Sequence, residues 1–319
     1  MAGAAALAAL CGCGASDEPP SQIATVRVAS GQTFTATRVE ATRAFVAEHG
    51  DEYDMLVFWD TNNLFNGQFS YTPIANDVLG VGYGHDSDEV FSDRDGLSTV
   101  RLQGVIWMGN RWMTIDVEPG PESIFGILAE ETVHRWAARV YYDDAGVDSD
   151  AILDTLGRHW SALLDVGNSP LGGAVWTHLG AQFYESERRG PIAYADVDLY
   201  LMGVLPASDV APLQLLVDVW TDDCAQPAPC SDSWPDVAPT MVQATAETVT
   251  IEQVIAVEGA REPTVGEAPS AFRQAWVYVV YDQREPSAGD LETLEARRHS
   301  WETFFNEAAR GLAEISTDL

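Results

Sequence analysis

The segment Glu130-Glu131-Thr132-Val133-His134-Arg135-Trp136 places two carboxylates and an imidazole within five positions. On a helix of 3.6 residues per turn, Glu130 and His134 stack one turn apart and Glu131 lies beside His134, all within an arc of about 100°. The neighbouring positions Ile124, Phe125, Leu128, Val133, Trp136 and Val140 are apolar on nearly every side of that helix. A helix apolar all round is a buried one. Carboxylates and imidazoles taken out of water must be paired with one another or must bind a cation, because burying them bare is costly. The spacing therefore admits two readings: a metal site, or a buried Glu-His-Arg ion network.

Glu-Glu-x-x-His differs by one residue from His-Glu-x-x-His. In that helix the residues at i and i+4 hold Zn²⁺ and the inner Glu polarises a water. Here Glu130 stands at the first ligand position, and a carboxylate oxygen is a legitimate zinc ligand. Glu131 keeps the general-base position. A second imidazole follows in Gly157-Arg158-His159-Trp160-Ser161, and beyond it Ser169-Pro170-Leu171-Gly172-Gly173. Over residues 123–175 the chain resembles the leishmanolysin-like branch of the metzincin metallopeptidases. Those proteins carry a third zinc His in a His-Trp segment after the helix, and a Met-containing turn under the metal. The resemblance implies a zincin-like fold, Zn²⁺ held by Glu130, His134 and His159, and a turn carrying Leu171 and Gly172 beneath it. Leu171 stands where that family has Met. More widely, Arg101–Gly109, His134–Trp136, His159–Ser161, Asp198–Gly203 and Arg298–Ala308 resemble a group of secreted bacterial proteins of unassigned function.

Other groups are weaker candidates. Asp198 is a reserve carboxylate ligand, or else a helix cap. His178, His49 and His299 read as ordinary core or surface positions. The loop His85–Gly96 gathers Asp86, Asp88, Glu89, Asp93 and Asp95. Oxygen ligands at that density suit Ca²⁺, although their spacing is not that of a helix-loop-helix calcium loop and a solvated acidic loop is the alternative. Cys224 and Cys230 enclose a proline-stiffened loop, read as a structural disulfide. With no further Cys pair to complete a four-thiolate site, a metal clip is disfavoured. No Ser-His-Asp signature, phosphate-cradling loop or dinucleotide fingerprint is present.

The elements that must position these groups follow from pattern. Ile23–Val28, Met55–Trp59, Val100–Met108, Val249–Val257 and Gln274–Tyr281 read as strands, and residues 23–46 mix in a further β-rich piece at Phe34–Arg38 and a short helix. Glu122–Tyr142, Ala151–Leu164 and Ala288–Leu312 read as helices, and Asp198–Val204 as a compact apolar piece. Mixed without strict alternation, they predict an α+β fold: one domain, its long buried helix against a sheet, with a core over 23–206 and a C-terminal β/helix lobe over 207–319.

At 319 residues and about 150 per domain, one large or two ordinary domains fit, and 46% hydrophobic residues supply a sizeable core. Forty-nine Asp and Glu face 17 Arg and no Lys, a net charge of -32 that repels phosphate backbones and disfavours nucleic acid. Residues 1–13 are a short apolar run ending Leu10-Cys11-Gly12-Cys13, similar to a bacterial lipoprotein signal with Cys13 as the lipidated residue, although no basic n-region precedes it. Residues 14–22 read as a tether. The functional expectation is an exported, lipid-anchored zinc metallopeptidase acting on peptides or proteins, touching the membrane only through its anchor at an outer membrane or cell surface. The alternative is a degenerate peptidase scaffold that binds a protein or glycan. A calcium-dependent adhesive module rests on the acidic loop alone.

Overall fold

The protein is described by a computed structural model over residues 22–61, 69–83, 94–97, 99–110, 115, 123–187, 190–220, 241–282 and 284–319. Cys13, Cys224, Cys230, Asp86, Asp88 and Asp93 lie outside the described residues, as does the side chain of Asp95, so the anchor, disulfide and calcium expectations stay there. The fold is α+β, as the mixed pattern predicts; outside its two main sheets lie the short helix α2 (Arg94–Leu97) and an antiparallel pair, β5 (Tyr142–Asp144) and β6 (Val147–Ser149).

The first sheet contains β1 (Ile23–Val28), β2 (Met55–Asp60), β3 (Ser70–Pro73), β4 (Gly104–Gly109), β13 (Ala271–Tyr281) and β14 (Glu314–Ser316). Its order is β1-β13-β2-β4-β3, with β14 pairing β13. All pairs are parallel except β3, which runs antiparallel to β4 at the edge. Every residue of β2 and β4 is buried, as expected of strands covered on both faces. Leu56, Phe58, Val105 and Trp107 pack with Ala41 and Phe45 of α1 (Phe34–His49). On the other face Met55, Val57, Trp59 and Ile106 meet α3 (Ile124–Val133) and α6 (Ala288–Ala308).

The second sheet contains β7 (Trp160–Asp165), β8 (Gly172–Ala174), β9 (Trp176–Gly180), β10 (Phe183–Ser186), β11 (Leu213–Trp220) and β12 (Met241–Val249), in the order β8-β7-β11-β12-β10-β9. Its two outer strands are almost consecutive in sequence, β8 ending at Ala174 and β9 starting at Trp176. The sheet therefore curls on itself around Trp176, Tyr184, Leu216, Val219 and Val242. The boundary expected near residue 206 marks no break in the sheets, since the chain beyond it supplies β11 and β12 to the second and β13 and β14 to the first. Among the described residues no helix is long and apolar enough to cross a membrane.

Four expected elements are corrected. The helix of residues 122–142 is only α3, ending at Val133. Beyond it the Tyr83 hydroxyl donates to the Arg135 carbonyl at 2.8 Å, the Arg139 guanidinium donates to the His134 carbonyl, and Ala138 adopts φ 62°, so the carbonyls that would continue the helix are taken. The helix expected over Ala151–Leu164 is a bend followed by β7; Gly157 at φ 66° interrupts it. Val249–Val257 is the end of β12 and then helix α5 (Ile251–Glu258), started by the Gln253 side chain accepting the Thr250 N–H at 2.9 Å. Phe34–Arg38 is the first turn of α1, capped by the Thr33 hydroxyl.

Candidate metal centre

The short helix α3 carries the chemistry at its last turn. The Ser123 hydroxyl caps its start, accepting from the Gly126 N–H at 2.9 Å. Every α3 residue except Glu130 is buried. Gln274 on β13 fixes its rotation: its amide donates to the Thr132 hydroxyl at 3.3 Å while its carbonyl oxygen accepts from the Trp301 and Trp276 indoles at 2.8 and 3.3 Å. Tyr194 adds a hydroxyl donated to the Ala129 carbonyl at 3.2 Å.

Glu130 and His134 meet His159, which stands in the bend just before β7. One ligand atom from each of the three lies within 4.8 Å of the others, a group that can hold a metal ion. The His134 and His159 rings are 5.0 Å apart, and His159 Nε2 lies 3.1 Å from Glu130 Oε1. His134 is 8% exposed and its buried Nδ1 has no hydrogen-bond partner. The Glu130 and His159 side chains are 30% and 36% exposed, so the group opens to solvent on their side.

Electrostatics divides the two imidazoles. Burial, then the nearby charges of His159, Arg139 and Arg158, push His134 well below the usual imidazole range. That favours the neutral form of the ring, the form that offers a lone pair to an ion. Burial works the same way on His159, but hydrogen bonds to Asp154 and Glu130 and the charges of both overcome it and hold this ring at about 10. Without metal, His159 is a cation between two carboxylates. Its folded-state value lies above the free value of 6.5, so the stability it contributes is complete below that value and is lost as pH rises toward about 10. A divalent ion must displace that proton. We expect metal affinity to rise with pH through neutrality, with about one proton released per ion near pH 7–8, read by calorimetry in buffers of different ionisation heat.

Glu131 is buried. Burial and then the Glu130 charge raise its carboxyl well above the usual range, while His159 and the Tyr71 backbone N–H pull it down. It sits between the ligand group and edge strand β3.

The Gly-rich turn pairs with Trp160, the residue after His159. The Trp160 N–H donates to the Leu171 carbonyl at 2.8 Å, and Trp160 pairs with Gly172 across β7 and β8. Leu171 is fully buried in the main core. Gly172 holds φ +102°, and a Cβ there would come within 2.8 Å of the Trp160 carbonyl oxygen and 3.6 Å of the His159 Cβ. A side chain at 172 would push on the backbone that carries the ligand.

Asp198, the reserve ligand, is not part of the group. Its oxygens accept from the Trp160 indole and the Ala195 N–H, each at 2.8 Å, and the Ser169 hydroxyl also bonds it. Burial lifts it to about 6 against those bonds. It sits near the start of α4 (Asp196–Met202) and braces the residue after His159. His178 stacks on Tyr184, His49 on Phe45, and His299 lies beside Glu295 on the outer side of α6; none joins the centre. Sequence reasoning missed Asp154, whose side chain is 7% exposed and pairs with His159 Nδ1 at 3.2 Å. Its signal is an Asp four and five residues before the two N–H groups it accepts, a local turn pattern. Compared with known proteins, the chain matches no protein-family profile, no curated protein and no solved structure.

Proposed function

We propose that the chain is an exported zinc-dependent peptidase whose metal is held by Glu130, His134 and His159. The observation that carries this reading is the group of three ligand atoms no more than 4.8 Å apart, one of them on a buried imidazole whose Nδ1 has no hydrogen-bond partner. A buried polar atom left unpaired is destabilising unless something satisfies it. Two imidazoles and one carboxylate are a donor set of catalytic zinc sites, and three protein ligands leave a position for water or substrate. Zinc bound there would polarise a carbonyl and bring the ionisation of water near neutrality.

The chain's own residues do the rest. Glu131 takes the proton of the attacking water on a carboxylate oxygen and returns it to the leaving amine. Burial raises its carboxyl above the usual range, which makes the carboxylate a stronger proton acceptor. Asp198 and Gly172 keep Trp160, and with it His159, in place. A peptide substrate is supported by β3, which among the described residues pairs only with β4. Strand edges offer backbone donors and acceptors to an extended chain. The segment ending at Cys13 supports export and lipid anchoring.

A second reading is supported by the Glu130–His159–Asp154 bridge, which satisfies itself without metal. On that reading the scaffold is a binding protein. Elemental analysis of the purified full chain separates the two. The peptidase reading expects about one zinc per chain, and hydrolysis of a quenched peptide library that chelation abolishes and zinc restores. A folded chain that takes up no zinc after dialysis against it sinks the peptidase reading.

A further inference from the structure

We propose that Asp154 is a positioning residue that selects which nitrogen of His159 faces the metal. The inference rests on the metal reading above and deepens it. One carboxylate closes the whole bend from Asp154 to His159. Its Oδ1 accepts the Arg158 N–H at 2.8 Å and the His159 N–H at 3.2 Å, and its Oδ2 lies 3.2 Å from His159 Nδ1. The backbone seals the same bend: the Asp154 N–H donates to the His159 carbonyl at 2.8 Å, and the Gly157 N–H to the Asp154 carbonyl at 3.0 Å.

An ionised carboxylate only accepts hydrogen bonds, so the nitrogen facing it must carry hydrogen. Without an ion both ring nitrogens face carboxylates and both carry hydrogen; Glu130 belongs to the ligand group and Asp154 does not, so an ion takes the place of the hydrogen on Nε2 while Asp154 keeps the one on Nδ1. A carboxylate behind a ligating imidazole also makes that ring a stronger donor.

This role separates from a structural one by the order of two variants. Asparagine keeps an oxygen for the two backbone N–H groups and nearly the same shape, but turns an NH₂ toward Nδ1. The ring must then present a bare Nδ1 and carry its hydrogen on Nε2, the form that cannot bind. Serine is smaller and fills the bend less well, yet it puts no donor-only NH₂ against Nδ1, so the ring is free to keep its hydrogen there. A merely structural Asp154 tolerates Asp154→Asn better than Asp154→Ser. A tautomer-setting Asp154 does the reverse.

The test is zinc affinity of the full chain and both variants, by competition with a chromophoric chelator, alongside melting temperatures without metal and visible spectra with Co²⁺. We expect Asp154→Asn to bind zinc about 10–100-fold more weakly than the unaltered chain, with a shifted Co²⁺ spectrum. Asp154→Ser should fall between them, although Asn melts closer to the unaltered chain. Zinc affinity that follows the melting order, Asn at or above Ser, overturns the role of Asp154 and leaves the metal centre standing. An unaltered chain that binds no zinc overturns the centre itself, and Asp154 with it.

Discussion

Replacing His134 with alanine is expected to remove the bound zinc entirely while leaving the chain folded. This ring brings one ligand atom to the group, and its buried Nδ1 makes no hydrogen bond that the substitution would break. The turn around it is held through the Thr132 hydroxyl by Gln274 and through the Ala129 and His134 carbonyls by Tyr194 and Arg139, bonds that do not use the imidazole. In the unaltered chain, zinc at 100 times its dissociation constant should stabilise the fold by about 2.7 kcal/mol, and the melting temperature should climb with zinc concentration. In His134→Ala that climb should vanish, and elemental analysis should find no stoichiometric metal. Equal zinc in both proteins would place the ion somewhere other than α3.

Glu131→Gln should have the second large effect, and the opposite signature. Zinc content should be unchanged, because Glu131 is outside the group of Glu130, His134 and His159 that could hold the ion. Hydrolysis should fall by a factor of about 10² to 10⁴, the usual contribution of a positioned general base. The two effects together, metal kept and turnover lost, separate a proton-transfer role from a ligand role. The metal-free proteins add an independent check through pH. Burial raises the Glu131 carboxyl well above its ordinary value, so the stability tied to it is complete below the unfolded value near 4.5 and is lost as pH rises through the folded one. Glutamine does not titrate. The metal-free variant should therefore melt above the unaltered chain at neutral pH, and the gap should narrow on acidification. Full hydrolysis by the Gln variant would remove Glu131 from the mechanism.

The parts of this centre that the sequence displays are those set by local geometry. Residues 130, 131 and 134 share a helix face because of the helical period, and an apolar surround makes that face internal. Strands β1, β2 and β13 announce themselves as compact runs of apolar and β-branched residues, and α6 by its spacing of Leu294, Trp301 and Phe305. What is hidden depends on side chains that bond the backbone at a distance. The end of α3 is fixed by Tyr83, some fifty residues upstream, and by Arg139 folding back onto the last turn. Apolar periodicity continues past Val133 and says nothing of either. The stretch 151–164 carries helical-looking apolar spacing, but Asp154 takes the N–H groups that a helix would use and Gly157 turns the chain. Helix α5 was legible in principle, through Thr250 and Gln253, but its β-branched composition outweighs that cue. Asp198 shows why an acid near a metal motif need not be a ligand: the indole of the neighbouring Trp160 takes the oxygen an ion would need.

The strand order carries a consequence for when the centre can exist. β1 and β2 are close in sequence, yet they never pair, because β13 lies between them. The same strand carries Gln274, which reaches back across 142 residues to hold Thr132 on the metal helix. While the chain is being made, every product that stops short of residue 271 has a slot where its sheet should be continuous and a helix that lacks the Gln274 bond to Thr132. Such a topology, dominated by contacts distant in sequence, assembles late and slowly. The candidate ligand group is thus assembled late: α3 is made well before β13, and its last turn gains the Gln274 bond only when that strand slides into the middle of the sheet.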